Sequence, residues 1–231
     1  MVRKVIIGVV VVAALAIGGI FIYAWMERED APDELTLDDR STETTQASDM
    51  SVAEASLDGT WTTTGESEVG YRVIEDFVGG LTNAEAVGRT KDVTGTMTLV
   101  GTQVPEGSFE VQMATIESNE SRRDGQFRGR IMSVEEFPTA DFELTEPIDF
   151  GTVPPDGEEI TATATGELTL RGTTKEVTFD VTARRSGSEI AVNGSIPVLF
   201  SDYGIPNPSN PIVSTRDNGT LEFLLVFEPS A

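Results

Sequence analysis

The chain has 231 residues, a formal net charge of −23, and neither cysteine nor histidine. So negative a charge disfavours binding to nucleic acid and charge-driven docking on anionic lipid. The missing residue types exclude disulfides, Ser-His-Asp and Cys-His catalysis, and histidine-ligated zinc. An enzyme would have to use carboxylate, lysine, tyrosine or hydroxyl chemistry.

The first predicted element is a membrane-spanning helix over residues 5–26. This segment of 22 residues contains no charged side chain, and a helix of that length rises about 33 Å, enough to cross a hydrocarbon core. Basic residues precede it and acidic residues follow it, so the positive-inside rule leaves residues 1–4 in the cytoplasm and places the rest outside. A long signal peptide that is removed is the alternative.

Residues 27–56 are predicted to form a disordered acidic linker. The segment is rich in Asp, Glu, Ser and Thr and has no periodic apolar face, so it cannot bury enough surface to offset its chain entropy. A flexible coil of about thirty residues spans about 30 Å. Such a linker would keep the following domain near the membrane without fixing its orientation.

Residues 57–231 are predicted to form one all-β domain, because apolar and polar side chains alternate in successive segments between turn signals. These segments are residues 60–63, 68–74, 94–100, 107–116, 140–144, 161–170, 175–183, 190–200 and 221–227. About eight strands in such a length predict an antiparallel barrel or sandwich. The last segment is so apolar that an open edge there would promote aggregation, which favours a closed barrel.

The hairpin of residues 161–183, with its turn at residues 171–174, carries the main hint of function. Ala162, Ala164 and Gly166 share the dry face of its first strand. Small side chains on the inner face of a barrel leave volume that a ligand can occupy. Close packing against bulky neighbours is the alternative.

Two segments interrupt the strand pattern. Residues 124–136 are predicted to form a short helix, because Phe127, Ile131 and Val134 have helical spacing. Residues 201–215 contain three prolines and are predicted to be an ordered loop near a barrel mouth.

Several motifs resemble the YceI-like polyisoprenoid-binding family. The hairpin GELTLRGTTKEVTFD is similar to the family's strand that ends in a Leu-Thr-Leu-like triplet and turns through Gly-x-Thr-Lys. Residues 123–142 resemble its passage of Arg-Asp, short helix and Phe-Pro-x-Ala-x-Phe. Residues 61–71, 202–205 and 218–223 match its opening strands and its last third, so the resemblance covers nearly all of residues 57–231.

The resemblance implies an all-β fold, an eight-stranded antiparallel lipocalin-like barrel with a short helix. The preceding transmembrane helix and disordered linker are predicted from the composition of residues 5–56 and not from the resemblance. The resemblance also implies an apolar interior that holds a polyprenyl compound, an isoprenoid quinone or another long amphipathic chain, with no metal and no catalytic machinery. Many members carry histidines after the opening turn and after the Arg-Asp pair. Residues 67–69 and 125–127 contain none, so the head-group contacts are expected to differ.

The predicted ligand-binding residues face the barrel interior and are Ala162, Ala164, Gly166, Leu168, Phe109, Met113, Phe142, Phe179, Val192, Ile196, Phe223 and Leu225. Candidate head-group contacts are Arg122, Arg123, Asp124 and Tyr203, because arginine presents a fork suited to phosphate. The structural alternatives are an Arg-Asp pair at the helix start with Asp124 as N-cap, and a tyrosine that anchors the proline-rich loop.

The predicted function is that of a membrane-anchored, extracytoplasmic lipid-binding protein whose partners are a lipid ligand and the membrane. One alternative is an extracytoplasmic interaction, adhesion or stress-related module with a solidly packed barrel. Another is an enzyme that uses carboxylates such as Asp124, Glu135 and Asp202. No cofactor other than a bound lipid is expected.

Overall fold

The structure is a computed structural model that describes residues 31–39, 57–77, 83–209 and 213–230. Its strands are β1 (Gly59–Thr63), β2 (Glu68–Phe77), β3 (Asn83–Thr90), β4 (Val93–Val100), β5 (Gln103–Gln112), β6 (Glu117–Ser118), β7 (Thr139–Leu144), β8 (Ile148–Asp149), β9 (Glu159–Leu170), β10 (Thr173–Ser186), β11 (Glu189–Leu199), β12 (Val213–Thr215) and β13 (Asn218–Pro229). Helix α1 (Ser121–Gln126) continues into a π-helical turn, Phe127–Ile131. Single 3-10 turns occupy Leu37–Asp39, Met113–Thr115 and Phe200–Tyr203.

Eight strands close into an antiparallel barrel in the order β1-β4-β5-β7-β9-β10-β11-β13, and β13 pairs back with β1. Trp61 of β1 lies opposite Pro229 of β13 at this closure. The predicted all-β, eight-stranded antiparallel barrel with a short helix is therefore confirmed. The predicted membrane span, residues 5–26, lies outside the described residues. Within the described ranges, no helix is both long and apolar enough to cross a membrane.

The barrel wall opens at one end, beside β3. Strands β1 and β2 pair with two successive stretches of the same edge of β13. Strand β1 pairs with residues 227–229 and β2 with residues 220–224. Strand β3 pairs with β2 and, at its other edge, with the two residues of β6. Helix α1 follows β6 directly, and Phe127 at its end stacks on Tyr71 of β2.

Strand β3 has no counterpart among the predicted segments. Its buried positions include Ala84 and Ala86, which give a weak apolar signal. Gly88 allows the Tyr71 ring to cross the strand, since a Cβ at residue 88 would lie 2.5 Å from Tyr71 Cε1. The small residues of β3 therefore leave room for the Tyr71 ring of the neighbouring strand β2.

The predicted central hairpin is confirmed as β9 and β10, with Leu170 paired to Thr173. The turn residues Arg171 (φ 49°) and Gly172 (φ 72°) both have left-handed backbone, as a primed two-residue turn requires. Arg171 Nη1 donates a hydrogen bond of 2.6 Å to the Gly204 carbonyl. This bond ties the hairpin turn to residues 201–209, the described part of the predicted loop that precedes β12, which we call the proline-rich loop.

Residues 31–39 form a strap that lies against the outside of the barrel, which we call the N-terminal strap. Leu35 and Leu37 are buried in a small cluster with Ala191, Leu224 and Val226, all on the outer face of β11 and β13. The expectation of disorder over residues 27–56 is therefore wrong for the strap; the rest of that stretch lies outside the described residues. A segment anchored by two leucines has too few apolar residues to show a periodic pattern.

A buried ion cluster lies beneath the start of the strap. Glu222 is only 4% exposed, and its Oε1 accepts from Arg72 Nη2 at 3.2 Å and from Arg89 Nη2 at 3.0 Å. The Pro32 carbonyl accepts from Arg72 at 2.8 Å, and the Asp33 carbonyl accepts from Arg89. The strap thus supplies hydrogen-bond acceptors to Arg72 and Arg89, whose charges would be costly to bury without partners.

Replacing both strap leucines, Leu35→Ser with Leu37→Ser, should lower the free energy of unfolding by about 3 kcal/mol. Each buried leucine contributes about 1.5–3 kcal/mol, and loss of the strap also exposes Leu224 and Val226. Urea unfolding of the double variant measures the change. Glu34→Ser, at an exposed strap position, is the control and should leave stability within about 0.5 kcal/mol. Equal stability of the double variant and the control would contradict strap docking.

Candidate functional site

The described residues form two apolar chambers in the barrel interior. The large chamber, of about 780 Å³, lies at the end that carries α1 and the proline-rich loop. The small chamber, of about 140 Å³, lies at the opposite end. Ligand pockets commonly measure about 300–1,000 Å³, and a cavity of about 150 Å³ accepts a molecule the size of benzene. The large chamber is thus big enough for a ligand, and the small one for a single ring-sized or branched group.

Four phenylalanine rings, Phe109, Phe142, Phe179 and Phe223, form a cluster at the boundary between the chambers. Phe109 and Phe223 line both chambers, and their ring centroids are 5.6 Å apart. Phe142 stacks on Phe109 at 5.3 Å, and Phe179 meets Phe142 edge-on at 5.4 Å. The two contacts of Phe142 have the stacked and edge-on geometries that aromatic side chains prefer, and the rings of Phe109 and Phe223 are tilted by 43°.

Two interior glycines make room for this cluster. A Cβ at Gly166 would lie 2.5 Å from Phe142 Cζ, and a Cβ at Gly194 would lie 2.7 Å from Phe223 Cζ. The prediction that Gly166 leaves empty volume is therefore wrong, because the Phe142 ring fills that space. The small residue lies beneath a large ring from the neighbouring strand, which is the close-packing alternative.

The predicted interior residues divide between the chambers. The large chamber is lined by Leu168, Met113 and Ile196, together with Phe109 and Phe223. The small chamber is lined by Ala164, Phe142, Phe179, Val192 and Leu225, again with Phe109 and Phe223. Ala162 and Gly166 line neither of these two chambers.

Helix α1 supplies a polar rim to the large chamber. Glu120 caps the helix by accepting from the Arg122 backbone N at 3.1 Å. Arg122, Arg123 and Arg130 all line the chamber, and the first two are candidate head-group contacts. Four of the chain's 16 basic side chains lie within residues 122–130. The acidic residues Glu75, Glu120 and Asp141 share the lining, so the rim offers both signs of charge.

Arginine side chains also hold the rim together. Arg123 Nη1 donates to Asn119 Oδ1 at 2.7 Å. Arg130 reaches across the opening to the carbonyls of Asn207 and Pro208, at 3.5 and 3.4 Å. The helix and the proline-rich loop are thereby linked over the mouth of the large chamber.

Two predicted head-group contacts have structural positions instead. Asp124 is 7% exposed, and its Oδ1 accepts from Ser118 N at 2.9 Å and Ser118 Oγ at 2.6 Å. The helix begins at Ser121 and not at the predicted residue 124, so Asp124 is not the N-cap. Asp124 also does not line the large chamber. Tyr203 is 3% exposed within the core, and burial raises its pKa, with Asp202 adding to the effect.

The helical segment begins and ends earlier than predicted, and only Phe127 and Ile131 of the predicted packing face lie in it. Phe127 and Val134 are buried and Ile131 is half-buried. The π-helical turn ends at Ile131, and Ser133 takes a positive φ of 51°. This left-handed residue ends the helical run before residue 136.

Tyr71 lies at the site but is not among the residues predicted from the sequence. Its ring stacks on Phe127 at 5.0 Å and 12°, and it lines the large chamber. Burial, opposed in part by Arg123, raises the pKa of its hydroxyl to about 12. The alternation of Val69, Tyr71 and Val73 in β2 was the available signal that Tyr71 faces inward.

The model of one protein family, described as the YceI-like domain, matches residues 61–227. The chain belongs to the YceI-like family. Among relatives of this YceI-like chain, a UPF0312 protein of Pseudomonas putida (strain W619) is 31% identical over 131 residues, which cover 52% of this chain and 64% of the relative. A UPF0312 protein of Pseudomonas fluorescens (strain SBW25) is 33% identical over 138 residues, 54% of this chain and 68% of that one. The chain thus spans just under two thirds of the first of these relatives.

Two solved structures share the YceI-like fold. BcnA of Burkholderia cenocepacia is 19% identical, with a TM-score of 0.56, over 71% of this chain and 98% of that one. A polyisoprenoid binding domain from Saccharophagus degradans, implicated in plant cell wall breakdown, is 14% identical, with a TM-score of 0.60, over 75% of this chain and 99% of that one. At these identities the likeness supports the barrel fold alone.

Titration of Tyr71 should be visible in the stability of the protein at high pH. The unfolded chain loses the Tyr71 proton near the ordinary pKa of 10.0, whereas the folded protein keeps it up to about 12. Stability should therefore fall by about 2–3 kcal/mol as the pH rises across this interval. Urea unfolding of the wild type and of Tyr71→Phe between pH 9 and 12 isolates this contribution. Parallel pH profiles for the two proteins would contradict it.

Proposed function

We propose that this YceI-like protein binds a long amphipathic lipid, such as a polyisoprenoid or an isoprenoid quinone, inside its barrel. The observation that carries the proposal is the apolar chamber of about 780 Å³ with a polar rim. A structure of the same fold is described as a polyisoprenoid binding domain, which supports this class of ligand. A solidly packed interaction module would have no such internal volume, so that alternative is disfavoured.

The chain of the lipid would lie in the large chamber with its head group at the rim. Arg122, Arg123 and Arg130 present guanidinium groups that suit phosphate, and the neighbouring carboxylates and carbonyls suit hydroxyl groups. Transfer of apolar surface from water stabilises binding by about 25 cal/mol per Å², before the cost of ordering the chain is subtracted. A lipid that buries several hundred Å² can therefore be held without any covalent step.

We propose a binding role rather than catalysis, since the three carboxylates considered for an enzyme do not converge. Asp124 is occupied by Ser118. Glu135 and Asp202 are exposed and line neither described chamber. Catalysis by paired carboxylates requires two groups within reach of one substrate.

We also propose that residues 5–26 anchor the protein in the cell membrane as a single span, with the barrel on the extracytoplasmic side. The uncharged run and the distribution of flanking charges support this.

Two alanine-to-phenylalanine variants on opposite sides of the phenylalanine cluster test where the lipid binds. Ala140 lines the large chamber and Ala164 the small one. Ala140→Phe should reduce co-purified lipid at least tenfold, because its ring occupies ligand space. Ala164→Phe should retain lipid, because its ring enters the small chamber on the other side of the phenylalanine cluster. Native mass spectrometry of protein purified without delipidation measures both effects.

Thermal unfolding of the delipidated variants provides the control, because overpacking a solid core typically costs about 1–3 kcal/mol. Ala140→Phe should melt close to the wild type. Wild-type lipid retention by Ala140→Phe, or a large loss of stability in that variant, would show that the large chamber is not the ligand site.

The anchor is tested by fractionation and surface proteolysis. The full-length protein should stay with membranes through high-salt and carbonate washing, and residues from 27 onward should be open to protease added from outside. A soluble mature form that begins between residues 24 and 31 would contradict an uncleaved anchor.

A further inference from the structure

The N-terminal strap begins at the level of the large chamber. Pro32 and Asp33 contact Arg72 and Arg89, which lie on β2 and β3. The neighbouring inward-facing residues of the same strands, including Tyr71, line the large chamber. The chain therefore joins the barrel wall beside that chamber.

The strap then runs towards the small chamber. The Leu35 backbone N donates to Glu222 Oε2 at 3.3 Å, and its carbonyl accepts from Asn193 Nδ2 at 3.3 Å. Further along, Asp38 Oδ1 accepts from Arg184 Nη1 at 2.9 Å. The neighbour of Arg184 on β10, Arg185, lines the small chamber. The strap thus has a direction, from the large-chamber level to the small-chamber level.

This path shortens the connection between the proposed membrane span and the barrel. Only residues 27–30 separate residue 26 from the strap, and the chain from residue 26 to residue 31 spans about 18 Å at most when fully extended. Residues 40–56 follow the strap and lead to Leu57, so they do not lie between the membrane and the strap. A thirty-residue tether would leave the barrel free to turn, whereas a four-residue connection would restrict its orientation strongly.

We propose that the docked strap holds the mouth of the large chamber towards the bilayer that anchors the chain, so that the lipid moves directly between that bilayer and the chamber. This inference rests on the anchor and the lipid binding of the proposed function. The mouth faces the bilayer that holds the chain's own membrane span, and not a second protein. A mouth held near the bilayer shortens the distance over which an apolar chain is exposed to water, which is the costly part of lipid transfer.

The orientation can be measured by energy transfer, and the absence of native cysteine makes single-site labelling straightforward. Gln126 lines the large chamber and Thr152 the small one, and both side chains are exposed. Full-length Gln126→Cys and Thr152→Cys proteins, each labelled with a donor dye, are reconstituted in phosphatidylcholine vesicles that contain acceptor-labelled lipid. The label at residue 126 should lie closer to the bilayer by about 10 Å or more, since strands rise about 3.3 Å per residue.

Two further variants connect this difference to the strap. Leu35→Ser with Leu37→Ser undocks the strap, and a flexible insertion of twenty Gly-Ser residues between Asp30 and Ala31 lengthens the connection while leaving the strap docked. In both backgrounds the two labels should give equal transfer. The insertion keeps the test valid if the double variant folds poorly.

The outcomes separate the two proposals. Labelled protein that does not float with the vesicles would refute the anchor, and the orientation with it. Protein that floats, but whose residue 152 label is as close to the bilayer as the residue 126 label, would overturn the orientation and leave lipid binding in place. An unchanged difference after the Gly-Ser insertion would also overturn it.

Discussion

The burial of β13 on both faces is the constraint on which the rest of the structure depends. Its inward side chains, including Phe223 and Leu225, contribute to the walls of the chambers. Its outward side chains Glu222, Leu224 and Val226 lie beneath the N-terminal strap. Strand β13 also pairs with β1, β2 and β11, so it closes the barrel. A strand apolar on both faces needs a cover on each, and the strap provides the outer one.

The large chamber exists because side chains fill the middle of the barrel interior but not its end near α1. At the middle of the barrel, Gly166 and Gly194 let Phe142 and Phe223 pack across the sheet, which leaves little volume there. Towards α1 the wall opens beside β3, the helix and the proline-rich loop complete it, and the large chamber remains. The empty volume therefore lies where the strand pairing of the barrel is interrupted, and not beside the smallest interior residues. The same region supplies the arginine-rich rim.

Much of the fold could be predicted from residue patterns, and parts of the site could not. Period-2 alternation and the Arg171-Gly172 turn predicted the barrel strands and the central hairpin because both signals are local. Strand β3 was missed because its small residues complement Tyr71 across the sheet. The strap was missed because two leucines have meaning only beside the outer face of β13. Asp124 was predicted as a head-group contact, because sequence spacing does not reveal the hydrogen bond between its carboxylate and Ser118.

The proposed function requires that a lipid occupies the large chamber. A crystal structure of protein purified from its own membranes without delipidation would show whether one is there. Continuous elongated density should fill the large chamber, with its polar end near Arg122, Arg123 and Arg130 and its apolar end directed at Phe109 and Phe223. Mass spectrometry of dissolved crystals should recover a lipid in stoichiometric amount. A chamber that contains only ordered water, with no lipid recovered from the crystals, would refute lipid binding at this site.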